Sequence, residues 1–383
     1  MLIRGRLIII ENEQYLLSGT RYYPIKGIVG ADMYDLCECE GTEWDGVIIA
    51  ERTRVLQHGT MVGGHENWKK MVYDTGFKSQ MIEMQLAVNQ MRSFFLKMNF
   101  LEVYTPVAAP YAAMEPNIDS FETVFGRDKK LYLQTSPEYY MKKLLAADLY
   151  QNIFQICPVF RNNENGNRHN PEFLMLEWYR QYAPYETLMD DCFGLIKACA
   201  KKDMLTYQGQ TVLLDAYEKL TVADAFERYA AMPLDALGVY NDIPGWEERF
   251  FQILVEQVEP RLGWERPTVL CEYPAKLAAL ASLKKDDPRV ANRFELYICG
   301  IELANCFEEL CDAEQQYLRF EAEQHARMKA GKPVYDIDKT FIEALKTGMP
   351  PSSGGALGIQ RLLMVLFDAT SIRETLLFPY EDL

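Results

Sequence analysis

An α+β fold preceded by a small all-β domain is what this sequence predicts, and three observations carry the prediction. Residues 1 to about 59 break into five short β-rich runs punctuated by Asn12, Gly19, Gly27, Gly30, Gly41 and Gly46. Between Met81 and Met98, apolar residues recur at helical spacing. From Phe154 to Tyr179, two strand-like runs flank a polar loop rich in Asn, Gly, Arg and His. The 383 residues suffice for one large domain plus a small one. With 49% hydrophobic and 25% charged residues, the chain reads as ordinary globular protein. A formal charge of −15 argues against nucleic-acid binding as its main business, because neutralising phosphates takes clustered Lys and Arg. L-I-R-G-R-L-I-I-I after Met1 is too short and too interrupted by arginine for a signal peptide. No apolar run approaches a membrane span, so no membrane association is expected. Nine cysteines, scattered and odd in number, suit reduced thiols in a cytoplasm.

The five runs are L-I-R-G-R-L-I-I-I, Q-Y-L-L, Y-Y-P-I-K-G-I-V, Y-D-L-C-E-C-E and W-D-G-V-I-I-A-E-R-T-R-V-L. Five short strands suggest an OB-like barrel over residues 1–62. Its acidic residues outnumber its basic ones, which favours a packing or partner-docking module over an oligonucleotide binder. Cys37 and Cys39 share one strand face; with His58 and His65 they make a zinc site conceivable, but the spacing favours plain packing. Residues 63–80 are polar and glycine-containing and read as a linker, and 81–383 as the main domain.

That domain opens with a helix whose one face carries Met84, Val88, Met91, Phe95 and Met98. A strand, F-L-E-V-Y-T-P, stops at Pro106. K-L-Y-L-Q-T is a further strand, and S-P-E-Y-Y-M-K-K-L-L-A-A a helix with Ser136 as N-cap and Pro137 at its first position. Glu138 in the first turn complements the helix dipole on the plainest reading. The strand pair runs Phe154–Arg161 and Phe173–Tyr179. Side chains alternate across a strand, so Phe173, Met175, Glu177 and Tyr179 share one face, a floor suited to a small ligand. Leu174, Leu176 and Trp178 share the other face, which reads as core. Arg161 reaches the same space as the first face, with a fork of donors that suits phosphate.

Residues 180–259 read as helix-rich and without distinctive chemistry. R-P-T-V-L-C-E-Y-P begins another strand. In 293–310, Glu295, Glu302 and Glu309 are each seven apart, which on a helix is one charged face. Y-I-C before Gly300 favours a strand instead, and then a bulge or break must bring Glu302 and Glu309 to one side. P-P-S-S-G-G-A-L-G reads as a glycine-rich turn leading into a helix with Ile359, Leu362, Leu363 and Leu366. Such a turn lets backbone approach a phosphate or a flat ring.

In order, these stretches resemble the three motifs of the class II aminoacyl-tRNA synthetases, the lysyl branch in particular. F-R-N-N-E-N-G-N-R-H-N-P-E-F-L-M-L-E-W-Y is closer still to that branch's tRNA-free relatives, which attach β-lysine to elongation factor P. T-S-P-E-Y, G-I-E-L-A-N-x-F-x-E-L and Ala356 agree with the same group. The resemblance implies an antiparallel sheet flanked by helices, usually a homodimer. It implies activation of a carboxylate by ATP with Mg2+ and transfer of the acyl group to an amine, with elongation factor P as acceptor, lysine or β-lysine as substrate and no tRNA.

By motif, Arg161 and Arg361 are the catalytic arginines, on the α-phosphate and the γ-phosphate side. Asn163, Asn170, Phe173, Leu303 and Gly358 complete the nucleotide set, with Phe173 stacking on adenine. Glu302, with Glu295, holds magnesium, a hard ion that prefers carboxylate oxygens. Ser136, Glu138, Glu177, Tyr179, Asn305, Phe307 and Glu309 surround the amino acid. Converging carboxylates repel each other in an empty pocket, and a ligand with two ammonium groups relieves that. The chain departs from the family pattern at Asn163, where a glutamate is expected and Glu164 is a neighbouring substitute. It departs also at Cys306, a glycine in the family and expected near the pocket, and at Gln360, where the family has an acid. These departures leave two further readings open: a catalytically altered paralogue that binds amino acid or adenylate, and a lysine ligase for a different acceptor.

Overall fold

The computed structural model describes residues 1–60, 64–115, 117–240 and 243–383. The chain forms two compact units, residues 1–83 with 376–383, and residues 84–375. The boundary expected at 62/63 lies outside the described residues.

In the first unit, β1 (Leu2–Ile10), β2 (Glu13–Ser18), β3 (Arg21–Lys26), β4 (Leu36–Trp44) and β5 (Val47–Gln57) close into a barrel in the order β1-β2-β3-β5-β4. Ile3, Leu7, Leu16, Ile25 and Ile48 fill its interior, together with Cys37 and Cys39. Gly41 sits at a register shift between β4 and β5, and a Cβ there would lie 2.1 Å from the Ile49 carbonyl oxygen. Only glycine lets the two backbones approach so closely. The cysteines are core residues: His58 pairs with Asp35 instead, at 3.1 Å, and among the described residues no His, Cys, Asp and Glu group could hold a metal. The stretch expected as a linker is helical from Asn67, with α1 (Asn67–Tyr73) and α2 (Thr75–Lys97). Its polar composition hid the short α1, anchored by side-chain contacts: the Asn67 amide donates to the Leu376 carbonyl and its backbone N–H to Asp382.

The second unit is built on one eight-stranded sheet. Its chain order is β6 (Leu101–Glu102), β7 (Ala108–Ala109), β8 (Glu122–Phe125), β9 (Lys129–Leu133), α3 (Glu138–Ala146), β10 (Asn152–Phe160), β11 (Glu172–Gln181) and α4 (Glu186–Ala200). Next come the hairpin β12 (Met204–Tyr207) and β13 (Gln210–Leu213), then β14 (Glu218–Thr221), α5 (Val222–Ala230), α6 (Leu234–Leu237) and α7 (Trp246–Ile253). The remainder is β15 (Thr268–Cys271), β16 (Arg293–Ile298), β17 (Ile301–Glu308), α8 (Ala313–Lys329), α9 (Lys339–Lys346), β18 (Ser352–Gly358) and α10 (Ile359–Leu366). The sheet order is β14-β15-β16-β17-β18-β11-β10-β6, antiparallel except at its two outer pairs, β14 with β15 and β10 with β6. The region 180–259 is therefore not purely helical.

β18 corrects the expected glycine turn: S-S-G-G-A-L-G is a central strand between β11 and β17. Its small residues answer a packing demand. A Cβ on Gly354 would lie 2.2 Å from the Tyr179 ring, and one on Gly355 would lie 2.3 Å from the Cys306 sulfur. The bulge that the parity of Glu302 and Glu309 demands falls between Leu296 and Tyr297: Leu296 pairs with Ala304 and Tyr297 with Glu302, leaving Leu303 as the extra residue.

Helix α2 lays Met84, Val88, Met91 and Phe95 against the sheet. The Phe95 ring meets Phe100, Phe154 and Trp178 at centroid distances of 5.0, 5.3 and 5.4 Å. Phe154 and Trp178 are cross-strand partners on the face of β10 and β11 that reads as core in the sequence. Phe95→Ala is expected to lower stability by about 3–5 kcal/mol, seen as an earlier urea midpoint. A midpoint unchanged from the parent protein contradicts this packing role.

Candidate functional site

Register across the sheet determines which side chains meet. Glu295, Asn305, Ala356, Glu177 and Gln155 form one cross-strand row; Arg293, Phe307, Gly354, Tyr179 and Ile153 form the next. Alternation then turns Phe173, Met175, Glu177 and Tyr179 to the same side, as expected, and all four line a cavity of about 640 Å³. Ser136 and Glu138, at the start of α3, line it too, as do Arg161 and Asn170 from the β10–β11 connection. Glu302, Leu303, Asn305 and Phe307 from β17 join them, with Gly358 and Arg361 at the start of α10. Phe173 and Tyr179 are six residues apart on one strand, so the cavity runs about 20 Å along β11.

One end is cationic. The Arg161 guanidinium lies 5.3 Å over the Phe173 ring, and its buried Nε has no hydrogen-bond partner, an N–H available to an anion. Arg361 donates to Glu302 at 3.0 Å and to the His169 ring at 2.7 Å. Burial and the adjoining Arg361 hold His169 below its ordinary pKa. Arg168 donates to the Gly300 carbonyl. Asn170 is buried and its amide donates to the Glu172 carbonyl. The Gln360 side chain accepts from the Leu174 N–H at 2.8 Å, which ties α10 to β11 with an amide where an acid was the family expectation.

The other end is acidic. Glu177 accepts from the Tyr179 hydroxyl at 2.7 Å, and both are buried. Burial and the nearby Glu138 raise the Glu177 carboxyl well above its ordinary value. Helix α3 starts at Glu138 with Pro137 at its N-cap, one residue later than expected with Ser136 as cap, and the Glu138 N–H donates to the Ser136 hydroxyl. The sequence reading missed Lys142, one turn further along α3. Its ammonium is 2.5 Å from Glu138 and 2.5 Å from Glu309, and 5.2 Å from the Phe307 ring centre. Burial alone pulls this ammonium down, but Glu138 and Glu309 more than offset it and hold it above the ordinary lysine range. Burial likewise pushes Glu309 up, to about 8, against the pull of Lys142. The close contacts on both sides keep Lys142 cationic. The i,i+4 spacing of Glu138 and Lys142 was the signal in the sequence.

Three expected site residues stand elsewhere. Asn163 is exposed, with a left-handed backbone (φ 65°); the neighbouring Glu164 lines the cavity in its place. Glu309 stands behind Lys142 with a fully buried side chain, not on the cavity wall. Glu295 has both oxygens engaged: Arg293 donates to one at 2.7 Å, Tyr273 and Tyr297 to the other at 2.5 and 2.6 Å. Cys306 is also corrected. It faces the opposite side of the sheet from Asn305 and Phe307, 3.8 Å from the Cys192 sulfur, and does not intrude on the pocket. Its parity in β17 already dictates this.

Glu115 and Glu323 line the cavity without a forecast from sequence. One Glu323 oxygen is buried and unpartnered, and burial with the nearby Glu115 pushes this carboxyl to about 8 from its ordinary 4.5. A raised acid stabilises the fold below its unfolded value and loses that contribution as pH climbs through the folded value. The thermal midpoint of the ligand-free protein is therefore expected to fall between about pH 5 and pH 9, and Glu323→Gln to flatten that fall. An equally steep profile in the variant contradicts the assignment.

Comparison with known proteins agrees with this geometry. The family model described as tRNA synthetases class II (D, K and N) matches residues 68–382. An elongation factor P–(R)-β-lysine ligase of Haemophilus influenzae strain PittGG is 40% identical over 309 residues, 77% of this chain and 93% of that protein. The proteins of that name from Mannheimia succiniciproducens and Pasteurella multocida are 42% and 40% identical, over 76% and 83% of this chain and 92% and 98% of their own. The chain belongs to the class II tRNA synthetase family and, within it, to the group of the elongation factor P–(R)-β-lysine ligases.

Proposed function

We propose that the chain activates (R)-β-lysine, or lysine, with ATP and transfers the acyl group to a lysine side chain of elongation factor P. One observation carries the reading: a single cavity has guanidinium groups at one end and buried carboxylates at the other, the pattern that a nucleotide joined to a dicationic amino acid requires. In the first step a substrate carboxylate oxygen attacks the α-phosphorus and the bond to pyrophosphate breaks. In the second, the acceptor amine attacks the adenylate carbonyl carbon, AMP leaves, and the amine gives up a proton. The chain's part is to position the partners and neutralise charge as it develops. Arg161, with its unpartnered N–H, receives the α-phosphate beside the Phe173 ring, on which adenine stacks. Asn170, Leu303 and Gly358 bound the nucleotide, and Arg361 exchanges Glu302 and His169 for the outer phosphates. Ser136, Glu138, Glu177, Tyr179, Asn305 and Phe307 enclose the amino acid.

Magnesium is held in nucleotide sites by one or two carboxylates together with substrate phosphates, and its role is to neutralise phosphate charge. Glu302 suits that part, since it lies on the cavity wall beside Arg361. Glu295 suits it less, because Arg293, Tyr273 and Tyr297 already occupy its oxygens. A cytoplasmic site of action fits the nine free cysteines, and among the described residues no helix is long and apolar enough to cross a membrane.

The test is ATP–pyrophosphate exchange with lysine and both β-lysine enantiomers, followed by mass spectrometry of elongation factor P. Exchange with a lysine isomer is expected, and Arg161→Ala should lower kcat about 10²–10³-fold. Binding of ATP and β-lysine without exchange favours the non-catalytic paralogue, and exchange only with other amino acids overturns the specificity.

A homodimer belongs to the same reading. Its support is an apolar strip of Leu86 and Leu96 on the outer face of α2, with Leu101 and Tyr104 following it, all exposed in the single chain. Leu86→Glu is expected to shift sedimentation from dimer to monomer. A parent protein that sediments as a monomer contradicts this.

A further inference from the structure

Lys142 is the least expected group in the acidic end. It is one of the largest fully buried side chains among the described residues, and it stands behind the cavity wall rather than on it. Its three neighbours are specific: Glu138 in front, Glu309 behind, and the Phe307 ring beside it. Glu138 alone of the two carboxylates reaches the cavity, and its side chain is largely buried. The order outward from the core is therefore carboxylate, ammonium, carboxylate, cavity. Gly354 closes the arrangement from the sheet, since a Cβ there would lie 2.8 Å from a Glu309 oxygen.

We infer that Lys142 is a built-in counter-ion, a positioning residue that sets the charge of the amino-acid pocket to match a ligand with two ammonium groups. This rests on the reading of the cavity as a dicationic amino-acid site. Glu138 and Glu177 line that end of the cavity, and Glu309 stands behind Lys142. Glu115 and Glu323 line the same cavity, so the acids here outnumber the two ammonium groups of such a ligand. Lys142 offsets one unit of that negative charge from within the cluster. Lys142 also fixes the Glu138 carboxylate before any ligand arrives, so that part of the pocket needs no rearrangement on binding. An amino acid with one ammonium group leaves a carboxylate unpaired in low dielectric, and that mismatch is the source of discrimination.

A counter-ion role makes an uncommon demand on mutants: deleting a cation should rescue the loss of an anion. Glu309→Gln keeps the shape of the side chain but leaves Lys142 facing the incoming ammonium groups with Glu138 alone. Its KM for lysine or β-lysine in pyrophosphate exchange is expected to rise about thirtyfold or more, with a smaller change in kcat. Lys142→Met combined with Glu309→Gln removes one charge of each sign, restores the net charge of the parent site, and should recover at least about fivefold of that KM. Lys142→Arg, which keeps the charge, should stay closer to the parent protein than Lys142→Met. A double variant that recovers less than about fivefold overturns the counter-ion role, as does a Glu309→Gln protein with unchanged KM. The latter needs only the near-isosteric single variant and so stays decisive if the double variant fails to fold. Absence of exchange by the parent protein with every lysine isomer overturns the parent reading and this one together. Exchange by the parent without rescue overturns this one alone.

Discussion

The buried chain of charges Glu138–Lys142–Glu309 is the constraint on which the site depends. Isolated charges do not survive in a protein interior; they neutralise or find partners. Here two carboxylates share one ammonium at 2.5 Å on each side, while burial and the nearby Glu138 raise the third acid, Glu177, well above its ordinary value. These acids and their counter-ion come from three separate parts of the chain. Glu138 and Lys142 are one turn apart on α3, Glu309 follows β17, and Glu177 lies on β11. The elements must therefore be held in register to a fraction of a side chain, and much of the sheet's detail serves that end.

Two local devices secure the register. The bulge at Leu303 reverses the alternation of β17, so that Glu302 faces the cavity on one side of it and Asn305 and Phe307 on the other. The glycines of β18 let Tyr179 and Glu309 on one face, and Cys306 and Trp178 on the other, close against bare backbone. A strand with ordinary side chains at 354 and 355 would prise β11 from β17 and separate the acids from each other. On the reverse face, Phe95 of α2 stacks on Phe154, meets Trp178 at a tilt, and keeps β10 and β11 seated.

Much of this was legible in the residues, and what was not has physical reasons. Strand alternation alone assigned Phe173, Met175, Glu177 and Tyr179 to the cavity and Trp178 to the core, because a period of two leaves no other choice. The five barrel strands were legible from their glycine and asparagine punctuation. The nature of β18 was not: glycine in a central strand runs against local propensity, and the reason for it lies in Tyr179 and Cys306, distant in sequence. Helix α1 was hidden for a similar reason, since Asn67 is anchored by residues more than 300 positions away. The engagement of Glu295 by Arg293 and two tyrosines is likewise a matter of neighbouring strands, invisible to a seven-residue spacing. Lys142 was readable, four residues after Glu138 on a predicted helix, but its partnership with Glu309 was not.

The account's central claim is that a fixed excess of buried negative charge beside a nucleotide cradle selects a dicationic amino acid. Calorimetry with a non-hydrolysable ATP analogue present, comparing lysine with norleucine, tests it most directly, because the two ligands differ by little more than one ammonium group. The account predicts that lysine binds and that norleucine binds at least about a hundredfold more weakly, the cost of leaving a buried carboxylate unpaired. Equal affinity for the two would contradict it.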